Sequence, residues 1–156
     1  MAITRSVEFM RTLTGTPALT QTFPEAASQT FKAGDLVYRN NGYVTVCGAD
    51  PALILGVALE DAHNASNDGD YDIQVLIING WTEFIMQVYH SNAANNKIEA
   101  SDLGKKYGIA VSSNQWYVDK TDTSNTRVII HDFLDPVGTV NGRVGVIFLA
   151  ANREVA

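Results

Sequence analysis

Apolar and polar residues alternate along most of the chain after residue 30, with a period of two. In residues 71–78, Ile73, Val75 and Ile77 fall on one face, and Gln74 and Leu76 on the other. After Asn79-Gly80 the pattern resumes, with Phe84, Met86 and Val88 on one side and Ile85, Gln87 and Tyr89 on the other. Strands turn successive side chains to opposite faces, so both segments predict β-strands. Residues 36–38, 43–47, 109–111, 115–118, 127–131 and 144–149 read the same way. Ile54-Leu55-Gly56-Val57-Ala58-Leu59 is apolar throughout, which predicts a strand buried on both sides. Gly56 inside it predicts a bulge or a close backbone approach.

Turn signals punctuate these runs. Asn41-Gly42, Asn79-Gly80 and Asn141-Gly142 each predict a tight hairpin, because Asn followed by Gly tolerates positive φ at both central positions. Ser112-Ser113-Asn114 predicts another turn, Asp50-Pro51 a break, and Asp135-Pro136-Val137-Gly138 a β-turn. Residues 92–108 hold the one plausible helical turn, with Ser101 as its cap and Gly104 as its stop. About eight to ten strands at this spacing predict an all-β fold, an antiparallel β-sandwich or a β-barrel-like domain of β-tulip or jelly-roll type, over residues 31–156. Residues 1–30 differ from the rest, and residues 12–20 are small and hydroxylated without a clear period. They predict either an extended N-terminal arm, with Val7, Phe9 and Phe23 as anchors, or a frayed terminus with one ordinary edge strand.

Composition narrows the partners. A length of 156 residues suits one domain, and the net charge of −6 argues against nucleic acid, which needs a phosphate-neutralising surface. Lys105-Lys106 is the nearest approach to a basic cluster and reads as an exposed turn. No apolar run approaches the roughly 20 residues of a membrane span, and residues at the start lack the apolar core of a signal peptide. Cys47 is the single cysteine, so no disulfide forms within the chain and a buried, inert thiol is expected.

Candidate chemistry is sparse. Residues 64–70 echo a calcium loop, but the bidentate Glu required at the twelfth place is Val75. His63, His90 and His131 lack a second ligand at zinc spacing, although folding can bring one near Asp61 or Asp132. No Gly-x-Ser-x-Gly elbow and no phosphate-cradling glycine loop occurs. Glu60 and Asp61 are adjacent, so on a strand they diverge. No catalytic residue, metal ligand set or cofactor site is therefore expected. Two alternatives remain open. A carbohydrate-binding β-sandwich requires an exposed, coplanar set from Trp81, Tyr89, Trp116 and Tyr117. A β-barrel hydrolase requires a histidine bonded to a carboxylate inside a cleft.

Longer patterns add a resemblance. The run Phe31-Lys32-Ala33-Gly34-Asp35-Leu36-Val37-Tyr38, then Gly42-Tyr43-Val44-Thr45-Val46, then Ile54-Leu55-Gly56-Val57-Ala58-Leu59-Glu60-Asp61-Ala62, resembles the opening β module of decoration (cement) proteins of tailed-bacteriophage heads. Ser101-Asp102-Leu103-Gly104-Lys105-Lys106-Tyr107-Gly108-Ile109, Trp116-Tyr117-Val118-Asp119 and Asp135-Pro136-Val137-Gly138-Thr139-Val140-Asn141-Gly142-Arg143-Val144 are also similar to that family. The resemblance implies a non-enzymatic homotrimer on the outer surface of the virion. It implies the major capsid protein as partner, and the host cytoplasm as the location during assembly. The composition of residues 1–30, which match that family less clearly, suggests as a hypothesis that the arm adds a strand to a neighbour's sheet edge.

Overall fold

The computed structural model describes residues 6–155. Their strands are β1 (Glu8–Thr12), β2 (Thr20–Pro24), β3 (Leu36–Asn40), β4 (Tyr43–Val46), β5 (Gly56–Ala58), β6 (Asp72–Ile77), β7 (Thr82–Tyr89), β8 (Lys106–Ser112), β9 (Gln115–Asp119), β10 (Val128–Phe133) and β11 (Arg143–Phe148). The first sheet runs β1-β7-β11-β10-β8-β9, and β9 also pairs in parallel with β7. That last pairing closes β7, β11, β10, β8 and β9 into a barrel. The all-β expectation holds, in its barrel form.

The edge of β7 is shared. Its first half, residues 82–85, pairs with β1, and its last three residues, Gln87 to Tyr89, pair with β9. The second sheet runs β2-β6-β5-β3-β4. It curls until Glu25, just past β2, bridges Val44 of β4.

Alternation places the core. Phe84, Met86 and Val88 point into the barrel beside Ile109, Val118, Val128, Ile130, Val146 and Phe148. Phe84 meets Phe148 edge-on, with ring centroids 5.5 Å apart. The outer face of the second sheet (Leu36, Val57, Leu76) joins this same cluster. Its inner face carries Val37, Val44, Ile73, Val75 and Ile77 in a smaller one. Strand β6 thus turns one face into the smaller cluster and, at Leu76, the other into the larger. Gly56 of β5 confirms the close approach: a Cβ there lies 2.0 Å from the carbonyl oxygen of Leu76.

The Asn-Gly signals resolve differently. Asn41-Gly42 forms the expected turn, with φ of 52° and 88°, between β3 and β4. Asn79-Gly80 is not a hairpin, because β6 and β7 belong to different sheets. Asn79 is buried, and its Oδ1 accepts bonds from the Trp81 N–H and the Thr82 hydroxyl, so it shapes a crossover. Asn141-Gly142 ends the longer connection between β10 and β11, and Asn141 Nδ2 donates to Val88 O. The second tight hairpin is Ser113-Asn114, with φ of 51° and 60°, joining β8 to β9.

Within residues 6–30, β1 and β2 pair inside the chain's own sheets, with turns at residues 13–15 and 27–28. Val7 is buried, Phe23 packs on the smaller cluster under Arg39, and Phe9 is 44% exposed. Residues 92–108 hold two single 3-10 turns, Ala93–Asn95 and Ala100–Asp102. Glu99, not Ser101, stands at the cap of the second, where its N–H donates to Asp102 Oδ2. Gly104 ends that turn at φ 79°, as expected.

Candidate functional site

A surface cleft lies on the barrel, at the mouth formed by residues 90–107 and the loop after β9. Its volume is about 530 Å³, and His90, Glu99, Lys105, Lys106 and Lys120 face it. A buried ion network forms its floor. Lys120 Nζ donates to Lys97 O at 2.7 Å and to Glu99 Oε2 at 2.8 Å, and lies 2.9 Å from Asp102 Oδ2. An ammonium has three protons, and all three are engaged. The Tyr107 hydroxyl donates to the other oxygen of Asp102 at 2.8 Å. Burial and the neighbouring Asp102 push the Tyr107 phenol well above its ordinary range. The Lys120 ammonium holds the Glu99 carboxyl below its own. Such a network fixes the wall of the cleft. It offers neither a spare Lys120 donor nor an unengaged Tyr107 proton to a substrate.

The three histidines part company. His90 accepts the Asn92 N–H at Nδ1, which leaves the ring proton on Nε2. His131 Nδ1 lies 2.7 Å from Glu83 Oε2, while Arg11 Nε donates to the other Glu83 oxygen at 2.7 Å. His63 Nδ1 lies 3.1 Å from Glu25 Oε2 and its ring stacks on Tyr71, centroids 4.4 Å apart. Glu25 and Glu83 are both fully buried. Histidine–carboxylate pairs therefore exist, with glutamates rather than Asp61 or Asp132. Neither pair lines the cleft at Lys105, the groove at Pro51 or the small cavity at Asp35. The condition set for a hydrolase is not met at those clefts.

The aromatic platform is not assembled either. Trp116 is buried and Trp81 is 44% exposed. Tyr89 and Tyr117 are half-buried, and their rings tilt by 43° at 5.9 Å. Trp81 and Tyr89 stand eight residues apart along an extended strand, about 26 Å at ~3.3 Å per residue.

No protein-family model and no curated protein matches this sequence.

The remaining candidates are structural. Cys47 is buried, as expected, and burial pushes its thiol far above the ordinary range. The loop at residues 64–70 is mostly exposed and ties itself to the chain: Asp68 Oδ1 accepts from Ala27 N, and Asp70 Oδ2 from Asn67 N. Among the described residues, no group of three His, Cys, Asp or Glu side chains can hold a metal ion. Asp50 and Asp122 share a hydrogen bond above Gly108, where a Cβ lies 2.6 Å from one and 2.8 Å from the other.

Sequence reasoning missed the Lys120 network. Its end members stand 23 positions apart and become neighbours only when β8, β9 and the 3-10 turn meet. A lysine between Asp119 and Thr121 gives no local sign of burial.

Proposed function

We propose that the chain is a capsid decoration protein. It binds the outer surface of a mature tailed-phage head as a homotrimer and clamps the major capsid lattice. One observation carries the reading as a binding scaffold: what folding leaves unspent is gathered on a surface. Val140, Val137 and Leu103 are 64%, 57% and 54% exposed, the most open large apolar side chains among the described residues. Among the described residues, Lys97, Lys105 and Lys106 form no side-chain hydrogen bond or ion pair, although Lys97 acts on Glu99 at longer range. The resemblance supplies the partner. Its Gly34-Asp35 turn leads into β3, and its Ile54-Leu55-Gly56-Val57-Ala58 run becomes the buried wall between the two cores.

The physics of such a clamp is mass action. A ligand that binds the assembled, expanded lattice and not its dissociated subunits stabilises the lattice. Three copies about one axis touch several capsid subunits, and avidity then exceeds each single contact.

The test is co-sedimentation of the full chain with mature, expanded heads and with unexpanded shells of the phage that encodes it. Saturable binding to expanded heads, with a raised temperature of head disruption, is expected. Absence of binding to expanded heads would overturn the reading. Removing residues 1–30 is a poor test, because it strips two strands from the chain's own sheets.

A further inference from the structure

We propose that the lysine-bearing face of the barrel docks the acidic, tyrosine-centred loop of a second copy of this chain. The proposal rests on the self-association in the reading above and adds the surfaces through which it occurs.

The first surface is defined by what the cations do. Of eleven Lys and Arg, Arg5 lies outside the described residues. Arg11, Lys32, Arg39, Lys120 and Arg143 pair with carboxylates, and Arg127 and Arg153 donate to backbone carbonyls. The remaining three, Lys97, Lys105 and Lys106, fall within one ten-residue segment. That segment is bonded to the turn bearing the exposed valines. Gly138 N donates to Ile98 O at 2.8 Å, and Ile98 N donates to Thr139 O at 3.1 Å. Lys97 pairs with Val140 across an antiparallel bridge, so their side chains emerge together. Lys97 thus shares a face with the exposed Val140, and Lys105 and Lys106 of the same segment line the 530 Å³ cleft.

The second surface is its complement. Tyr71 is 50% exposed and lies between Asp70 and Asp72, with Glu60 and Asp68 nearby in sequence and also exposed. Asp68, Asp70 and Asp72 have no cation within ion-pair distance among the described residues. The Tyr71 ring is held outward by its stack on His63. An aromatic anchor ringed by acids matches a polar cleft that carries Lys105 and Lys106, with Glu99 and the engaged Lys120 also lining it. Rigid tyrosines entering pockets are frequent anchors of interfaces. Within one copy these surfaces lie on different sheets and leave each other's charges unpaired. Their contact between copies is therefore head-to-tail, the kind that closes into a ring when the rotation permits.

Sedimentation of the full chain decides it. The wild type is expected to form a closed oligomer that weakens with salt, as the Debye length falls from about 10 Å at ~0.1 M to about 3 Å at ~1 M. Lys105→Glu/Lys106→Glu should raise the dissociation constant on the order of a hundredfold, as should Glu60→Lys/Asp72→Lys. Both pairs combined in one chain restore complementarity and should restore the oligomer. Near-UV circular dichroism checks the fold of each variant, and Lys105→Gln/Lys106→Gln replaces any charge-reversed chain that misfolds, with a smaller loss expected. A wild type that stays monomeric overturns the proposal. So does an oligomer indifferent to either reversal, or one that the combined chain fails to regain. Head binding by a monomeric wild type would leave the decoration reading standing while this contact fell. A charge-sensitive ring that ignores heads would do the reverse.

Discussion

The two sheets close by different means. The barrel closes on a backbone ladder, with the eight residues of β7 shared among β1, β9 and β11 and one Gln115–Gln87 side-chain bond added across the β9 seam. The second sheet contains β5, only three residues long, and its ends meet at one bridge. Side chains complete it. Buried Glu25 accepts the His63 N–H at 2.8 Å and lies beside the His63 ring, while its backbone bonds Tyr71 and Gly69. A ring closed by its own ladder leaves exterior residues free for contact, since closure removes the edges that invite mispairing. A sheet closed by side chains needs a tight backbone fit.

That difference is sharpest at glycine. In the second sheet, Gly56→Ala drives a methyl group to 2.0 Å from a backbone carbonyl, which cannot yield without breaking the pairing of β5 with β6. A loss above about 4 kcal/mol, or failure to give soluble protein, is expected in urea unfolding. In the barrel, Gly145→Ala meets Glu83 Oε2 at 2.7 Å and Met10 Sδ at 3.0 Å, both ends of side chains. Arg11 and His131 restrain Glu83, so the cost is smaller, about 1–2 kcal/mol. Equal losses at the two positions would show that the second sheet is no tighter than the barrel.

What could be read from the sequence follows the same divide. Alternation in β6 and β7 was legible because burial on a strand repeats every second residue. Gly56 was legible because a glycine inside an apolar run has few reasons to be there. The destination of Asn79-Gly80 was not, since the local turn code carries no information about which sheet the next strand joins. Of β1 and β2, no more than one edge strand was legible, for a related reason. Arg11, Thr20, Gln21 and Thr22 are exposed edge residues, so no apolar period marks them. The candidate site was legible only in part: Lys105-Lys106 stood out as an exposed pair, whereas the exposed valines sat in an ordinary Pro-Val-Gly turn.

The smallest expected effect tests the seam between the two regions. Asp50 lies between β4 and β5, Asp122 between β9 and β10, and their carboxyls meet over Gly108. Burial, with Asp122 close by, raises the Asp50 carboxyl above its ordinary value. Backbone N–H of Asn125, with the Asp50 bond, brings Asp122 down to about 2 from an ordinary 3.8. A depressed carboxyl contributes stability that is present above its unfolded value and lost as pH falls through about 2. A raised one does the opposite: it favours the folded chain in acid, and that contribution is lost as pH rises through its folded value. Asp122→Asn should therefore cost about 1 kcal/mol at neutral pH, after discounting for solvent screening, and the cost should vanish in strong acid. Asp50→Asn keeps a donor toward Asp122 and removes the group that resists ionisation. It should leave neutral-pH stability unchanged or slightly higher. Urea midpoints followed from neutral pH into acid separate the two. If both variants lose stability equally at neutral pH, the two carboxyls do not share a proton across the seam.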